Sequence, residues 1–388
     1  MIRTGKLNAN ASVTDGDYPF FTCSKNVSRI DSWKYDCECV LVAGNGDLNV
    51  KYYKGKFDAY QRTYIVEPSK ESLLNCRYLY YFMSLYLEQL RKMTLGGVIQ
   101  YIKLSFLTEA IIPLPPLPEQ ERIVAILDEA FGAIATATRN AERNLANAQA
   151  LFEIQLEKTV LQPDGVCKDV VLGDICDLQN GYAFKSGDYI KRSKTLNIRM
   201  SNIRPGGAFD PEHNQRCLPD SYAEQYSDYL LKDGDLIIAM TDMAGEPKIL
   251  GVPTLVSNRN GRAFLLNQRV GKLFSFSGNV RVPYLRYALT CPSVKRYYKD
   301  KGAGGLQINI SKKQILTLPI RLPSLASQDR AVLALQGLAK LCRNLGSVGH
   351  EKLQSTYTLK QSLLHKAFTG ELTADKQTVD RTLAEAGV

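Results

Sequence analysis

The sequence predicts a mixed α/β fold built twice: two mixed α/β modules separated by two long antiparallel, coiled-coil-like helices, related by a pseudo-two-fold internal repeat. Three observations predict it. The chain has 388 residues, more than one compact domain usually needs. Its segments recur in order at a slowly changing offset. Each copy ends on an apolar helical stripe of about 40 residues, too long for a small module to bury alone.

The repeat is read from five matches. LPPLPEQER (114–122) matches LPSLASQDR (322–330) at an offset of 208, and Gly96-Gly97-Val98 matches Gly304-Gly305-Leu306 at the same offset. Tyr78-Leu79 and Tyr81 match Tyr284-Leu285 and Tyr287 at 206. Gln61-Arg62 matches Gln268-Arg269 at 207, and CVLVA (39–43) resembles DLIIA (235–239) at 196. One short match could arise by chance; five in the same order mark two copies of one unit.

The elements follow in order. In the first module (1–117), Val40-Leu41-Val42-Ala43 runs into Gly44-Asn45-Gly46, an apolar strand ended by a tight turn. Tyr78 to Met93 has helical spacing. The first long helix (118–162) starts at Pro118, where a missing N–H costs nothing. Glu119 and Glu121 suit the positive end of its dipole. From Ile123 its apolar residues fall at 127, 130, 134, 137, 141, 145, 148, 152 and 156, before Pro163-Asp164-Gly165 ends it. The second module (168–323) repeats the pattern: Asp233-Gly234 precedes Leu236 to Met240, and Val282 to Lys299 is helical. The second long helix (324–370) carries its stripe through Val332, Leu335, Leu338, Cys342, Leu345, Val348, Leu359 and Leu363 to a Gly370 cap. Gly337, Gly346 and Gly349 weaken it by about 1 kcal/mol each relative to Ala. A tail (371–388) follows. Each stripe needs a partner, and the duplication supplies one.

Charge and chemistry narrow the function. The net charge of +10 and pI near 9.0 favour an anionic partner, nucleic acid before a membrane surface. The nine cysteines form no CxxC pair and the three histidines lie far from them, so no metal site is expected; Cys37 and Cys39 read as buried thiols on one strand face. No signal peptide or membrane-spanning run is present, so a cytoplasmic location is expected. There is no GxxxxGK[ST] loop, no GxGxxG after a strand and no Asn/Asp-Pro-Pro-aromatic tetrapeptide. Pro219-Asp220 and Glu246-Pro247-Lys248 imitate a nuclease metal site, but Pro247 disfavours the strand such a site needs, and the first copy has no counterpart. No catalytic residue is therefore expected. Candidate DNA contacts are Lys25, Asn26, Tyr52, Lys54, Arg62, Gln100 and Lys103 in the first copy. In the second they are Tyr182, Lys185, Arg199, Asn202, Arg204, Arg269, Gln307, Asn309 and Ser311. Arg suits guanine edges, Asn and Gln suit adenine edges, and the Gly-Gly pairs allow close backbone approach to phosphate.

With these residues in hand, the chain resembles the specificity subunit of type I restriction–modification systems. LPPLPEQERIVAILDEAF (114–131), LKQSLLHKAFTGEL (359–372) and VVLGDICDLQNGYAFKSGDY (170–189) carry the resemblance, which spans nearly the whole chain. It implies a non-catalytic subunit with two target recognition domains, each reading half of a bipartite double-stranded DNA sequence. The long conserved helices would act as spacer and docking surface for two modification subunits, joined by restriction subunits. S-adenosylmethionine, ATP and Mg would sit on those partners, with no cofactor on this chain and no membrane. The copies differ at the front: if Gly5 corresponds to Gly181, a first strand of about ten residues has no counterpart ahead of Met1. The alternatives to the specificity reading are a stand-alone or fused nuclease or methylase, and a truncated, inactive specificity subunit.

Overall fold

The computed structural model describes residues 1–69, 71, 73–94, 100–258 and 260–374. The Gly96-Gly97 pair and all but the first residues of the tail lie outside them. The chain divides into two compact units, residues 1–144 with 348–388 and residues 145–347.

In the first unit, β1 (Ile2–Thr4), β2 (Tyr18–Phe21), β3 (Ser28–Ile30), β4 (Tyr35–Ala43), β5 (Val50–Ala59) and β6 (Thr63–Val66) form one sheet, ordered β1-β6-β4-β5-β2-β3. β4 reads as a continuous apolar run because both its faces are covered. Val40 and Val42 pack with Leu79, Phe82 and Met83 of α1 (Cys76–Met93). Cys39 and Leu41 pack on the other face with Phe21, Phe57 and Ile65. Asn75 caps α1, its side chain accepting from the N–H groups of Arg77 and Tyr78. A short α2 (Ser105–Thr108) precedes the proline-rich stretch and α3 (Leu117–Leu161).

The second unit opens with β7 (Cys167–Val171), β8 (Asp177–Asn180), β9 (Thr195–Ile198), β10 (Cys217–Leu218), α4 (Tyr222–Gln225) and β11 (Leu230–Leu231). It continues with β12 (Leu236–Ala239), β13 (Thr241–Met243), β14 (Pro253–Leu255), β15 (Ala263–Leu266), β16 (Val270–Phe274), α5 (Val282–Thr290), α6 (Pro292–Lys301), β17 (Gln307–Asn309), α7 (Lys312–Leu316) and β18 (Pro319–Pro323). Its sheet order β8-β16-β12-β14 reproduces β1-β6-β4-β5. β9 pairs parallel with β15 as β2 does with the end of β5. The long β5 is thus broken here into β14 and β15. The antiparallel pair β7–β18 has no counterpart among the described residues of the first unit.

α3 and α8 (Leu325–Thr369) are 45 residues each, about 68 Å at 1.5 Å per residue. In the first unit Ile123, Leu127 and Ile134 pack with Leu363, Leu364 and Ala367. In the second, Leu156 and Val160 share a core with Val332 and Leu335, and the Cys342 thiol reaches the Ala148 carbonyl at 3.4 Å. The start of each helix meets the end of the other, so they run antiparallel. The stripe of α8 departs from expectation in one place: Leu345 and Val348 are 50% and 62% exposed. Beyond Cys342 the less exposed line runs through Gly346, Gly349, Leu353, Thr356 and Lys360, a one-residue shift that faces the glycines inward. Gly165 and Gly370 both lie just past a helix end at φ +86° and +82°, where glycine avoids the left-handed penalty.

The stretch before each long helix works as a joint. Gln120 is fully buried. Its carbonyl accepts from the Asn75 N–H at 2.9 Å, and its amide donates to the Leu73 and Pro115 carbonyls at 2.7 and 2.8 Å. Gln328, also fully buried, accepts from the Arg281 N–H at 2.7 Å and donates to Asn279 and Pro323 at 2.8 and 2.9 Å. Each glutamine ties the start of a module helix to the start of a long helix.

Candidate nucleic-acid interface

One turn is built the same way in both units. Gly5 approaches the strand end at Ala59–Tyr60 so closely that a Cβ would lie 2.0 Å from the Ala59 carbonyl oxygen. At Gly181 it would lie 2.3 Å from that of Asn267. The Gly5 N–H donates to Thr63, and that of Gly181 to Val270. Only glycine permits this contact, and it fixes the turns Tyr60–Thr63 and Asn267–Val270. Main-chain bonds from Gly44 to the Arg62 carbonyl and from Met240 to that of Arg269 hold the far side. Each turn thereby presents an exposed Gln-Arg pair, Gln61-Arg62 or Gln268-Arg269. Neither arginine forms an ion pair among the described residues.

The first unit gathers several expected residues here. Thr4, Gly44, Gln61, Arg62, Tyr64 and Ile102 line a polar cleft. The Gly46 N–H donates to the Gln100 carbonyl, and Ile102, beside Lys103, donates to Gly44. The loop carrying Lys25 and Asn26 is tied to the same end of the sheet. Asn49 donates to the Cys23 carbonyl at 2.8 Å, and Lys25 pairs with Asp47 at 2.8 Å. Tyr52 and Lys54 are not brought to the turn. In the sheet register Tyr52 lies opposite Val40 and Lys54 opposite Glu38, so Lys54 sits about 18 Å along the strands from the turn at roughly 3.3 Å per residue. Tyr52 donates to Glu38 at 2.8 Å, and the Arg77 guanidinium covers its ring at 4.8 Å. Its ring is a packing surface beside α1 and not a free stacking platform.

In the second unit Arg199, Arg216 and Arg269 form a cationic cluster. Burial lowers the pKa of the Arg199 guanidinium; Tyr189 opposes this, and the like charges of Arg216 and Arg269 lower it further. The Arg199 Nη2 donates to the Asn214 carbonyl at 2.8 Å, while its Nε is buried without a partner. Three guanidinium groups without carboxylate partners among the described residues make an anion-seeking surface. Tyr182 lies beside the turn, its carbonyl accepting from the Gln268 N–H, with its ring stacked among Phe184, Tyr226 and Tyr229. Gln307 and Asn309 lie on β17 opposite Met243 and Thr241, and the Asn309 side chain accepts from the Thr241 hydroxyl at 2.7 Å. Lys185 and Arg204 sit on separate loops, exposed and half-buried.

Two expectations are corrected. Asn202 is 1% exposed; its amide donates to the carbonyls of Asp210, Pro211 and His213, and its oxygen accepts from the Arg199 N–H. It ties a loop from inside and presents nothing to a ligand. Ser311 caps α7, accepting from the Gln314 N–H at 3.2 Å while its hydroxyl donates to the Gln314 side chain. Gln61, Gln268 and Arg216 were missed as contacts. The repeated Gln-Arg dipeptide was the available signal for the first two. Asp220 of the nuclease-like pattern accepts from Lys194 N–H and the Thr195 hydroxyl, each at 3.0 Å, and Glu246 pairs with Lys248. Among the described residues no group of three His, Cys, Asp or Glu side chains is placed to hold a metal ion, and no helix is long and apolar enough to cross a membrane.

Duplicated sheet modules that each present an anchored Gln-Arg turn, with long antiparallel helices, define a bipartite recognition scaffold. The chain belongs to the family of the type I restriction modification DNA specificity domain, whose model matches residues 2–144 and 167–345. It is 39% identical over 142 residues to the type I restriction enzyme EcoDI specificity subunit of Escherichia coli, covering 37% of this chain and 31% of that subunit. It is 22% identical over 351 residues to the MjaVIII specificity subunit of Methanocaldococcus jannaschii, covering 86% and 79%. Among solved structures, it matches a chain from the type I R-M system with a TM-score of 0.70 at 17% identity, covering 94% and 93%. The HsdS subunit from Thermoanaerobacter tengcongensis matches with 0.50 at 18%, covering 90% and 84%. At these identities the two structures speak for the fold.

Proposed function

We propose that this chain is the DNA sequence-specificity subunit of a type I restriction–modification complex. Each module reads one half of a bipartite double-stranded target, and the chain itself performs no chemistry. The observation that carries the reading is the Gln-Arg turn, anchored in both units by the same glycine contact. Arg reads guanine and Gln reads adenine in the major groove, each bidentate. The unpaired arginines of the second unit add affinity through phosphate. The long helices set the gap between half-sites and dock two modification subunits, with restriction subunits joining that assembly. S-adenosylmethionine, ATP and Mg belong to those partners, and the complex works in the cytoplasm. Half-sites one DNA turn apart, about 34 Å, lie on one face of the duplex, and helices of this length match such a spacing.

Methylome sequencing of cells carrying this chain with its modification partner tests the reading. Arg62→Ala should relax one half of the methylated sequence and Arg269→Ala the other, each by about 1–3 kcal/mol in discrimination. Deleting one turn from both long helices should change the spacer and leave the half-sites intact. Unchanged half-sites in both arginine variants would overturn the placement of the contacts. An altered half-site with an unchanged spacer would overturn the ruler.

A further inference from the structure

The first unit carries an open strand edge whose occupant is a segment of the same chain. In the second unit, β18 pairs antiparallel with β7, Ile320 opposite Val170 and Leu322 opposite Lys168. The Leu172 N–H donates to the Leu318 carbonyl. By the alternation of antiparallel ladders, Ile320 and Leu322 are then the hydrogen-bonded positions, and Pro319, Arg321 and Pro323 are not. The matching stretch of the first unit is Ile111-Ile112-Pro113-Leu114-Pro115, 208 residues earlier. It holds the same place: Tyr78 donates to the Pro113 carbonyl at 3.0 Å as Tyr284 does to that of Arg321 at 3.2 Å. Both of its prolines fall where no N–H is needed. Yet it pairs with no strand among the described residues, and the N–H groups of Ile112 and Leu114 have no backbone partner there. Ile111 is 90% exposed, and Leu114 is 55% exposed where Leu322 is 7%. An open apolar edge of this kind is a pairing site.

We propose that residues 375–379 add to this edge as an antiparallel strand, giving the first unit the pair that β7 and β18 make in the second. The helices place that segment. α3 and α8 match end for end at an offset of 208. β7 starts six residues past α3, and six residues past Thr369 is Asp375. DKQTV (375–379) shares Lys and Val with CKDVV (167–171) at the second and fifth positions. The chain is also delivered to the right place. Leu372 is 3% exposed in the cluster of Tyr78 and Ile123 against which Ile112 packs, and Phe368 lies 4.9 Å from the Tyr78 ring. The shared register sets Ile111 opposite Val379 and Leu114 opposite Lys376.

Disulfide trapping in the full chain tests this. Ile111 and Val379 form a non-hydrogen-bonded pair, with Cα atoms about 4.5 Å apart, within disulfide reach. Ile111→Cys with Val379→Cys should oxidise to a monomer whose 111–379 link is seen by peptide mass spectrometry. The neighbouring pair Ile111→Cys with Thr378→Cys should link at least about tenfold less, because successive strand side chains face opposite ways. Equal linking of both pairs, or links only between copies, would overturn the proposal, the latter in favour of a second copy as occupant. A second measurement uses no cysteine variant. In a chain ending at Ala374, the amides of Ile112 and Leu114 should exchange with deuterium about tenfold faster than in the full chain, with Ile320 unchanged. Equal rates in the two chains would also overturn it.

Discussion

The two joints use one bond set in common and one that differs. Gln120 and Gln328 make the same three bonds to main-chain atoms, differing by no more than 0.2 Å. The ion pairs beside them do not correspond. In the first unit Arg77 grips Asp128 from one turn inside α1, at 2.7–2.9 Å, and Tyr81 donates to the same carboxylate. In the second, Arg281 stands at the helix start and reaches Asp329 at 3.2 and 3.5 Å, both side chains about half exposed. Bonds to the main chain are dictated by the fold and recur with it. Bonds between side chains at a solvated surface contribute little and are free to differ.

That contrast is open to test, beginning where the main chain leaves no room. Gly5→Ala and Gly181→Ala each force a Cβ to within 2.3 Å or less of a backbone carbonyl oxygen. Each should destabilise its own unit by about 3 kcal/mol, measured by urea denaturation of the full chain; a change below about 1 kcal/mol in either would show that the turn gives way. Gln120→Ala and Gln328→Ala strand one N–H and two carbonyls apiece. Both should cost about 2–3 kcal/mol, and to a similar degree, since the two bond sets coincide. The ion pairs should part company: about 1–2 kcal/mol for Asp128→Asn, with its bidentate partner and a tyrosine left unanswered, against less than about 0.5 kcal/mol for Asp329→Asn. Equal losses would mean that the longer pair in the second unit is as strong as the shorter one.

These residues also mark the reach of sequence reading. The repeat and the stripes were legible because offsets and 3.6-residue periods survive without knowledge of contacts. Gly5 could be matched to Gly181 from flanking sequence, and the structure gives both the same close approach. Gln120 was not legible as a clamp. In LPEQER it stands between charged residues and reads as surface, and only the fold of Leu73 and Pro115 over it shows otherwise. Asn202 failed for the same reason: three carbonyls from residues 210–213 surround it, and no local pattern announces them. Leu345 and Val348 continued a regular stripe on paper. The structure turns Gly346 and Gly349 inward instead, which hydropathy cannot rank ahead of leucine and valine.

The smallest effect concerns alkaline pH. Burial pushes the Tyr52 hydroxyl up to about 12, and its hydrogen bond to Glu38 and that carboxylate's charge push the same way. An unfolded tyrosine ionises near 10. Below that pH both states hold the proton and the contribution is fully present. As pH rises from about 10 to about 12 the unfolded chain loses its proton first, and the contribution is lost. Tyr78 and Tyr284, matched in the two copies, are both raised by burial, so they destabilise both units alike. Tyr52 has no such twin: the register that sets it opposite Val40 sets Leu255 opposite Leu236. Tyr52→Phe should therefore make the first unit's stability fall less steeply between pH 10 and 12 while the second unit's profile stays unchanged. If the first unit's slope were the same with and without the hydroxyl, Tyr52 would not be buried in the way its contacts with Arg77 and Glu38 indicate.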